Sequence, residues 1–142
     1  MILPDVNVLI SAFRTDLPHH AVCRSWLIDV VSSDARFGLS TFALSAVVRI
    51  TTNGRAFKRP SPVAEAFGFC HDLLVQPHCQ LVEPGERHWD IFQRLCVEAR
   101  VRGPRVSDAW FAALAIESGC VWITLDRDFA QFSGLTWRPP SA

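Results

Sequence analysis

At 142 residues the chain is long enough for one domain, spanning 1–142, with a core that needs no disulfide or metal staple. Lys+Arg and Asp+Glu both total 14, so no long-range basic field announces a nucleic-acid partner. The cysteines (Cys23, Cys70, Cys79, Cys96, Cys120) are scattered and never form a CxxC pair, which excludes a disulfide frame and disfavours zinc.

Several coarser properties follow. Asp5 interrupts the apolar start, so no signal peptide is expected, and the longest apolar run, Ala109 to Ile116, is too short to span a bilayer. A cytoplasmic protein with no membrane partner and buried, inert thiols is the expectation. Lys58 is the only lysine. Arginine suits phosphate and carboxylate forks, although GC-rich coding would produce the same bias.

Met1 to Leu9 (MILPDVNVL) reads as a strand that delivers Asp5 and Asn7 at its carboxyl end. In an open α/β sheet that edge lines the ligand crevice. Asp5 could equally cap the helix that follows. Pro4 lacks an amide proton, so the strand should lose one ladder bond there.

His19 to Val31 has a helical period through Val22, Trp26, Leu27, Val30 and Val31. Arg36 to Leu39 suits a short strand. Thr41 to Ile50 puts Leu44, Val47 and Val48 on one helical face, with Arg49 off it. Thr51 to Pro62 carries glycine, two prolines and three cations, which predicts a basic exposed loop. Val63 to Val75 predicts a helix with Ala64, Phe67, Phe69, Cys70 and Leu74 inward.

Gln80 to Val82 predicts a strand closed by Pro84-Gly85, and Glu86 to Arg100 an amphipathic helix burying Trp89, Phe92, Leu95, Cys96 and Ala99. Arg100 to Arg105 forms a second basic turn. Ser107 is placed to cap an apolar helix from Asp108 to Glu117, stopped by Gly119. Cys120 to Leu125 predicts a buried strand ended by Asp126, and Leu135 to Trp137 an edge strand.

Strands alternating with helices predict a parallel sheet of four to five strands with helices on both faces, a three-layer α/β/α sandwich joined by right-handed crossovers. Helix starts and strand ends then share one edge of the sheet. That edge gathers Asp5, Asp108 and Asp126. Carboxylates converging without histidine or cysteine make a hard oxygen-lined site suited to Mg²⁺ or Mn²⁺, which can polarise a phosphoryl oxygen and lower the pKa of water.

DVNVLI, SDAWFAALAIESG and ITLDRDF, in that order and at those separations, resemble the PIN-domain ribonucleases, and within them the VapC toxins of bacterial toxin–antitoxin pairs, in particular a mycobacterial branch. The resemblance covers essentially the whole chain. It implies strand order 3-2-1-4-5, a Mg²⁺-dependent endoribonuclease acting on tRNA or rRNA, a homodimer, and a small VapB-type antitoxin completing a heterotetramer or larger assembly. It assigns Asp5, Asp108 and Asp126 to catalysis and metal, and Asp128 to a more variable fourth position. Asn7 and Thr124 match supporting polar positions that orient the carboxylates. Asp128 could also be only the cap of a short turn into Phe129.

The resemblance departs in one place. The family usually carries a glutamate on the helix after the second strand, whereas LSTFALSAVVRIT has none, and Ala46 or Leu44 stands in that region. The departure puts a second metal position and the usual general base in doubt and is the best argument for a rival reading as a non-catalytic PIN-like module that binds RNA or a partner, although the mycobacterial branch often lacks the acid as well and three or four aspartates can still hold one Mg²⁺. A phosphoacceptor receiver would want a lysine after its last strand, and none lies beyond Lys58. A phosphohydrolase with a nucleophilic aspartate would want DxD at the start.

Two cation clusters are candidate RNA contacts: Arg49, Arg55, Lys58 and Arg59, then Arg100, Arg102 and Arg105. Each alone is also explained as a solvated loop residue. Trp110 and Phe111 read as core, the histidines as surface residues, and Glu117 as solvent-facing or paired with an arginine. The high apolar fraction predicts a partner surface around Trp26 and the Val63 to Val75 helix.

Overall fold

The computed structural model describes residues 1–141; position 142, the last of the expected domain, lies outside the described residues. Five strands, β1 (Ile2–Pro4), β2 (Phe37–Leu39), β3 (Cys79–Leu81), β4 (Val121–Ile123) and β5 (Trp137–Arg138), form one sheet. Its order is β3-β2-β1-β4-β5, with every neighbouring pair parallel. That is the expected 3-2-1-4-5 arrangement.

The helices are α1 (Val6–Phe13), α2 (His20–Ser32), α3 (Thr41–Thr51), α4 (Val63–Leu74), α5 (His88–Ala99) and α6 (Arg105–Ser118). Two apolar clusters lie on opposite faces of the sheet, because alternate strand residues point to opposite sides. Leu3 and Trp122 pack with Leu95, Phe111, Leu114 and Phe129 beneath α5 and α6. Phe37, Leu39 and Ile123 pack with Val8, Leu9, Leu27, Val47 and Cys70 beneath α1 to α4.

Pro4 remains in β1, in register with Ile123, and the next amide, Asp5 N–H, donates to the Ile123 carbonyl at 2.8 Å. The last apolar run is wider than its strand. Cys120 N–H is claimed by the Ala115 carbonyl and Leu125 N–H by the Asn7 side chain, leaving β4 as Val121–Ile123.

Helix α6 begins three residues earlier than expected. Pro104 stands just before it with φ −58°, already helical, so Arg105 opens the helix and Ser107 lies exposed in its first turn without capping it. Gly119 terminates it as expected, in the left-handed region at φ 68°. Asp108 thereby sits within the first turn rather than at its start.

The outer helices bury narrower stripes than their periodicity suggested. Helix α4 rests on α3 and the edge strand β3, so Ala66, Cys70 and Leu73 are buried while Ala64, Phe67 and Leu74 face outward and Phe69 is half-buried. Helix α5 packs mainly on α6, which buries Leu95 and leaves Trp89 67% exposed. Trp26 is largely buried in the core cluster and shows only an edge to a cavity it lines with Ile2, Val30 and Phe37.

Three other residues differ from expectation. His88 is buried, its Nε2 3.0 Å from the Trp110 carbonyl. Glu117 is held by Arg87, though not as an ion pair; its carboxylate accepts the Gly85 and Arg87 amides at 2.6 and 2.9 Å and its backbone carbonyl accepts the Arg87 guanidinium at 3.5 Å, satisfying the β3–α5 connection. Cys79 and Cys96 are only partly covered, whereas Cys23, Cys70 and Cys120 are buried, and all are free thiols. Among the described residues, no helix is long and apolar enough to cross a membrane.

Gly38 sets the fit of β2 beside β1. A Cβ there would stand 2.7 Å from Val82 Cγ2 and 3.3 Å from Leu3 Cδ1, both buried and unable to retreat. Gly38→Val is expected to destabilise the fold by about 1–3 kcal/mol, measured as a fall in the urea midpoint with unchanged slope.

Candidate active site

Asp5 follows β1 and is the N-cap of α1, so the cap and the site are one residue. Its Oδ1 accepts Val6 N–H at 2.6 Å and its Oδ2 accepts the Thr124 hydroxyl at 2.6 Å. Thr124 Oγ1 in turn accepts Asn7 Nδ2 at 3.2 Å and Asp126 N–H at 3.0 Å. Asn7 Oδ1 accepts Leu125 N–H at 3.2 Å. The ends of β1 and β4, neighbours in space but far apart in the chain, are thus joined by side chains beyond their last ladder bond.

A cavity of about 290 Å³ opens at this edge, lined by Asp5, Asn7, Asp108, Asp126, Ser107 and Arg49 among others. Asp5, Asp108 and Asp126 therefore face one space, as the topology predicts. Asp126 also caps a short 3-10 turn, Arg127–Gln131, its Oδ1 accepting Asp128 N–H at 2.9 Å. Asp126, not Asp128, caps the turn into Phe129. Asp128 is the outermost of the acids and does not line the cavity.

The field within the cavity is negative. Burial pushes the Asp5 carboxyl up from 3.8 to about 6, with Asp108 and Asp126 adding to the rise and the Thr124 and Val6 hydrogen bonds opposing it. Asp108 is also raised, first by burial and then by Asp126, while Arg105 pulls it down. Among the described residues, no three acidic, histidine or cysteine side chains stand close enough to cage an ion unaided. The donor set is all oxygen, and a Mg²⁺-type cation commonly keeps several waters and takes only one or two carboxylates directly. The residues fit such an ion with water completing its shell.

The cations divide. Arg105 leans across the acids, its Nη1 3.7 Å from Asp108 and 3.9 Å from Asp126 and its Nη2 hydrogen-bonded to Asp128. Sequence grouped it with Arg102 on a basic turn, but the α6 start turns it back to the carboxylates, while Arg102 stays exposed. Arg49 lines the cavity from α3, and Arg55, Lys58 and Arg59 are exposed on the loop after it. Arg14, which periodicity did not single out, anchors that loop. Its buried guanidinium donates to the Arg59 carbonyl at 2.7 Å and Ser61 Oγ at 3.0 Å, pairs with Asp16, and lies 4.0 Å from the centre of the Phe57 ring.

Of the two positions where a helix glutamate was missing, Ala46 faces the cavity, whereas Leu44 is buried in the core. Phe42 also lines the cavity and escaped notice in the sequence. The signal was present as a second stripe on α3, at 42, 46 and 49, beside the apolar stripe that packs inward.

Comparison with known proteins agrees with this architecture. The family model of the PIN domain matches residues 2–135. Ribonuclease VapC25 of Mycobacterium tuberculosis is 40% identical over 141 residues, covering 99% of each chain. Among solved structures, the fold resembles VapBC2 from Rickettsia felis bound to a DNA fragment from their promoter, with TM-score 0.72, 13% identity and 98% coverage of each chain. It also resembles Mycobacterium tuberculosis VapC20, a sarcin-ricin loop cleaving toxin, with TM-score 0.70, 14% identity and coverage of 95% and 98%. At those identities the solved structures speak for the fold alone. The family match and the end-to-end relative go further, and on them this chain belongs to the PIN-domain family, among the VapC ribonucleases.

Proposed function

We propose that this chain is the toxin of a type II toxin–antitoxin pair, a Mg²⁺- or Mn²⁺-dependent endoribonuclease of cellular RNA, tRNA or rRNA, acting in the cytoplasm. The observation that carries the reading is the convergence of Asp5, Asp108 and Asp126 on one cavity with no histidine or cysteine among its lining. Identity to ribonucleases such as VapC25 along the full chain supports the same class. In that reading Asp5, Asp108 and Asp126 hold the cation directly or through water, with Asp128 at the periphery. A bound divalent cation would offset carboxylate repulsion, polarise a phosphoryl oxygen and acidify water.

The chain's own groups do the rest. Val6 N–H and the Thr124 hydroxyl each occupy one lone pair of Asp5, fixing the plane of its carboxylate while leaving both oxygens able to bind again. Asp108, reaching the cavity mouth from the first turn of α6, would complete the oxygen donors around the cation and its waters. Arg49 supplies positive charge opposite the acids for an RNA phosphate, and Arg55, Lys58, Arg59 and Arg102 extend contact along the backbone. The absent helix glutamate leaves room at Ala46 and does not remove any of these groups.

Of the two places expected for a partner, the groove between α3 and α4, which includes the 63–75 segment, is the better suited to an antitoxin. Leu44, Val48, Phe67, Cys70 and Leu74 line it, with Phe67 58% and Leu74 40% exposed. An apolar helix of a VapB-type partner suits such a groove, and a homodimer assembled into a heterotetramer or larger complex accompanies that reading. The rival non-catalytic module has only the missing glutamate in its favour.

Two outcomes are expected. Purified protein with Mg²⁺ or Mn²⁺ cuts total cellular RNA into discrete fragments, and EDTA or Asp108→Asn lowers the rate at least about 100-fold. Folded protein that binds RNA but leaves it intact would establish the non-catalytic module instead. The second concerns pH. Because the folded Asp5 carboxyl titrates near 6 rather than 3.8, its contribution to stability is full below about pH 4 and lost as pH rises through 6. Metal-free protein should lose up to about 3 kcal/mol from this group across that window, followed by thermal or urea melts in EDTA. Asp5→Asn should abolish that step, and stabilisation by added Mg²⁺ should grow over the same interval.

A further inference from the structure

Helix α3 presents a second stripe to the cavity: Phe42, Ala46 and Arg49, at i, i+4 and i+7. Phe42 is 48% exposed, yet its ring is not loose. Trp110 meets it edge-on with centroids 4.9 Å apart at 80°, and Phe111 lies alongside at 5.5 Å and 21°. Phe111 is itself stacked on the buried Trp122 at 5.4 Å. An aromatic ring backed by the core and open towards a carboxylate-lined cavity differs from a stray surface phenylalanine. Beside it Ala46 provides space, and Arg49 provides a cation on the same wall.

We propose that this wall seats one unpaired nucleotide of the RNA, Phe42 stacking on its base and Arg49 pairing with an adjacent phosphate. The proposal rests on the ribonuclease reading above and specifies the form of substrate that the site accepts. A base offers a π-face to a protein ring only when it has left its own stack, so a base on Phe42 comes from a loop, bulge or end. A cavity of about 290 Å³ has room for one such nucleotide. The ring belongs to this cavity and is absent from the lining of the α3–α4 groove, so an RNA base suits it better than a partner helix does.

The test uses the full chain in an Asp108→Asn background, which prevents cutting, and a short oligoribonucleotide carrying 2-aminopurine, single-stranded or annealed to its complement. The single strand should bind more tightly than the duplex, with 2-aminopurine fluorescence quenched on binding. Phe42→Leu should keep the melting temperature, weaken single-strand binding roughly ten-fold and lose the quench. Phe42→Trp should restore both. With the aspartate intact, Phe42→Leu should raise KM for cleavage more than it lowers kcat. Unchanged binding and quench in Phe42→Leu, equal binding of duplex, or a loss confined to an antitoxin-type helical peptide would each overturn the proposal. If Phe42-dependent stacking persists in a protein that cleaves no RNA, the wall stands and the nuclease reading falls; if cleavage proceeds without regard to Phe42, the reverse holds.

Discussion

The Thr124 hydroxyl at the end of β4 holds the functional edge of this molecule together. It donates to Asp5 and accepts from Asn7 and from the Asp126 amide, so one oxygen links the exit of the first strand to that of the fourth. Strand pairing brings β1 and β4 side by side but says nothing of side chains beyond the last ladder bond. The hydroxyl supplies that information, and its own burial makes the arrangement costly to break. Asp5 is held in a fixed plane, Asp126 is set to cap the turn that follows, and Asp108 arrives independently from the first turn of α6.

That rigidity has an electrostatic consequence. Three carboxylates on one cavity repel, and the deepest, Asp5, bears the largest part of the burden through desolvation. Arg105 relieves the outer acids from one side but lies 42% exposed, where screening by water limits what an ion pair can contribute. The edge therefore carries a stability cost of the kind common at functional sites. The cavity's other wall is apolar and cationic, so the two walls of one opening have opposite chemical character.

The outer helices explain why sequence periodicity overstated burial. A helix covered along one side only buries a narrow line of residues, and α4, against α3 and β3, and α5, against α6, are covered in that way. Phe67, Leu74 and Trp89 fit an apolar period yet face outward because nothing lies above them. Periodicity reports which face is apolar; it does not report whether a layer exists to receive it. The same distinction separates Trp26, packed into the core cluster, from Phe67 and Leu74 beside the open groove.

The alternation of apolar strands and amphipathic helices determined the parallel sheet, its order by way of the family resemblance, and the placement of Asp5, Asp108 and Asp126 on one edge. Those conclusions rest on topology, which needs only element type and sequence order. Tertiary structure alone decided the local chemistry. Arg105 was drawn to Asp126 and Asp128, Glu117 to the Gly85 and Arg87 amides, His88 was buried against Trp110, and Arg14 became the anchor of the basic loop. Each depends on a partner distant in the chain, and side-chain hydrogen bonds with such partners carry no periodic signal in the sequence.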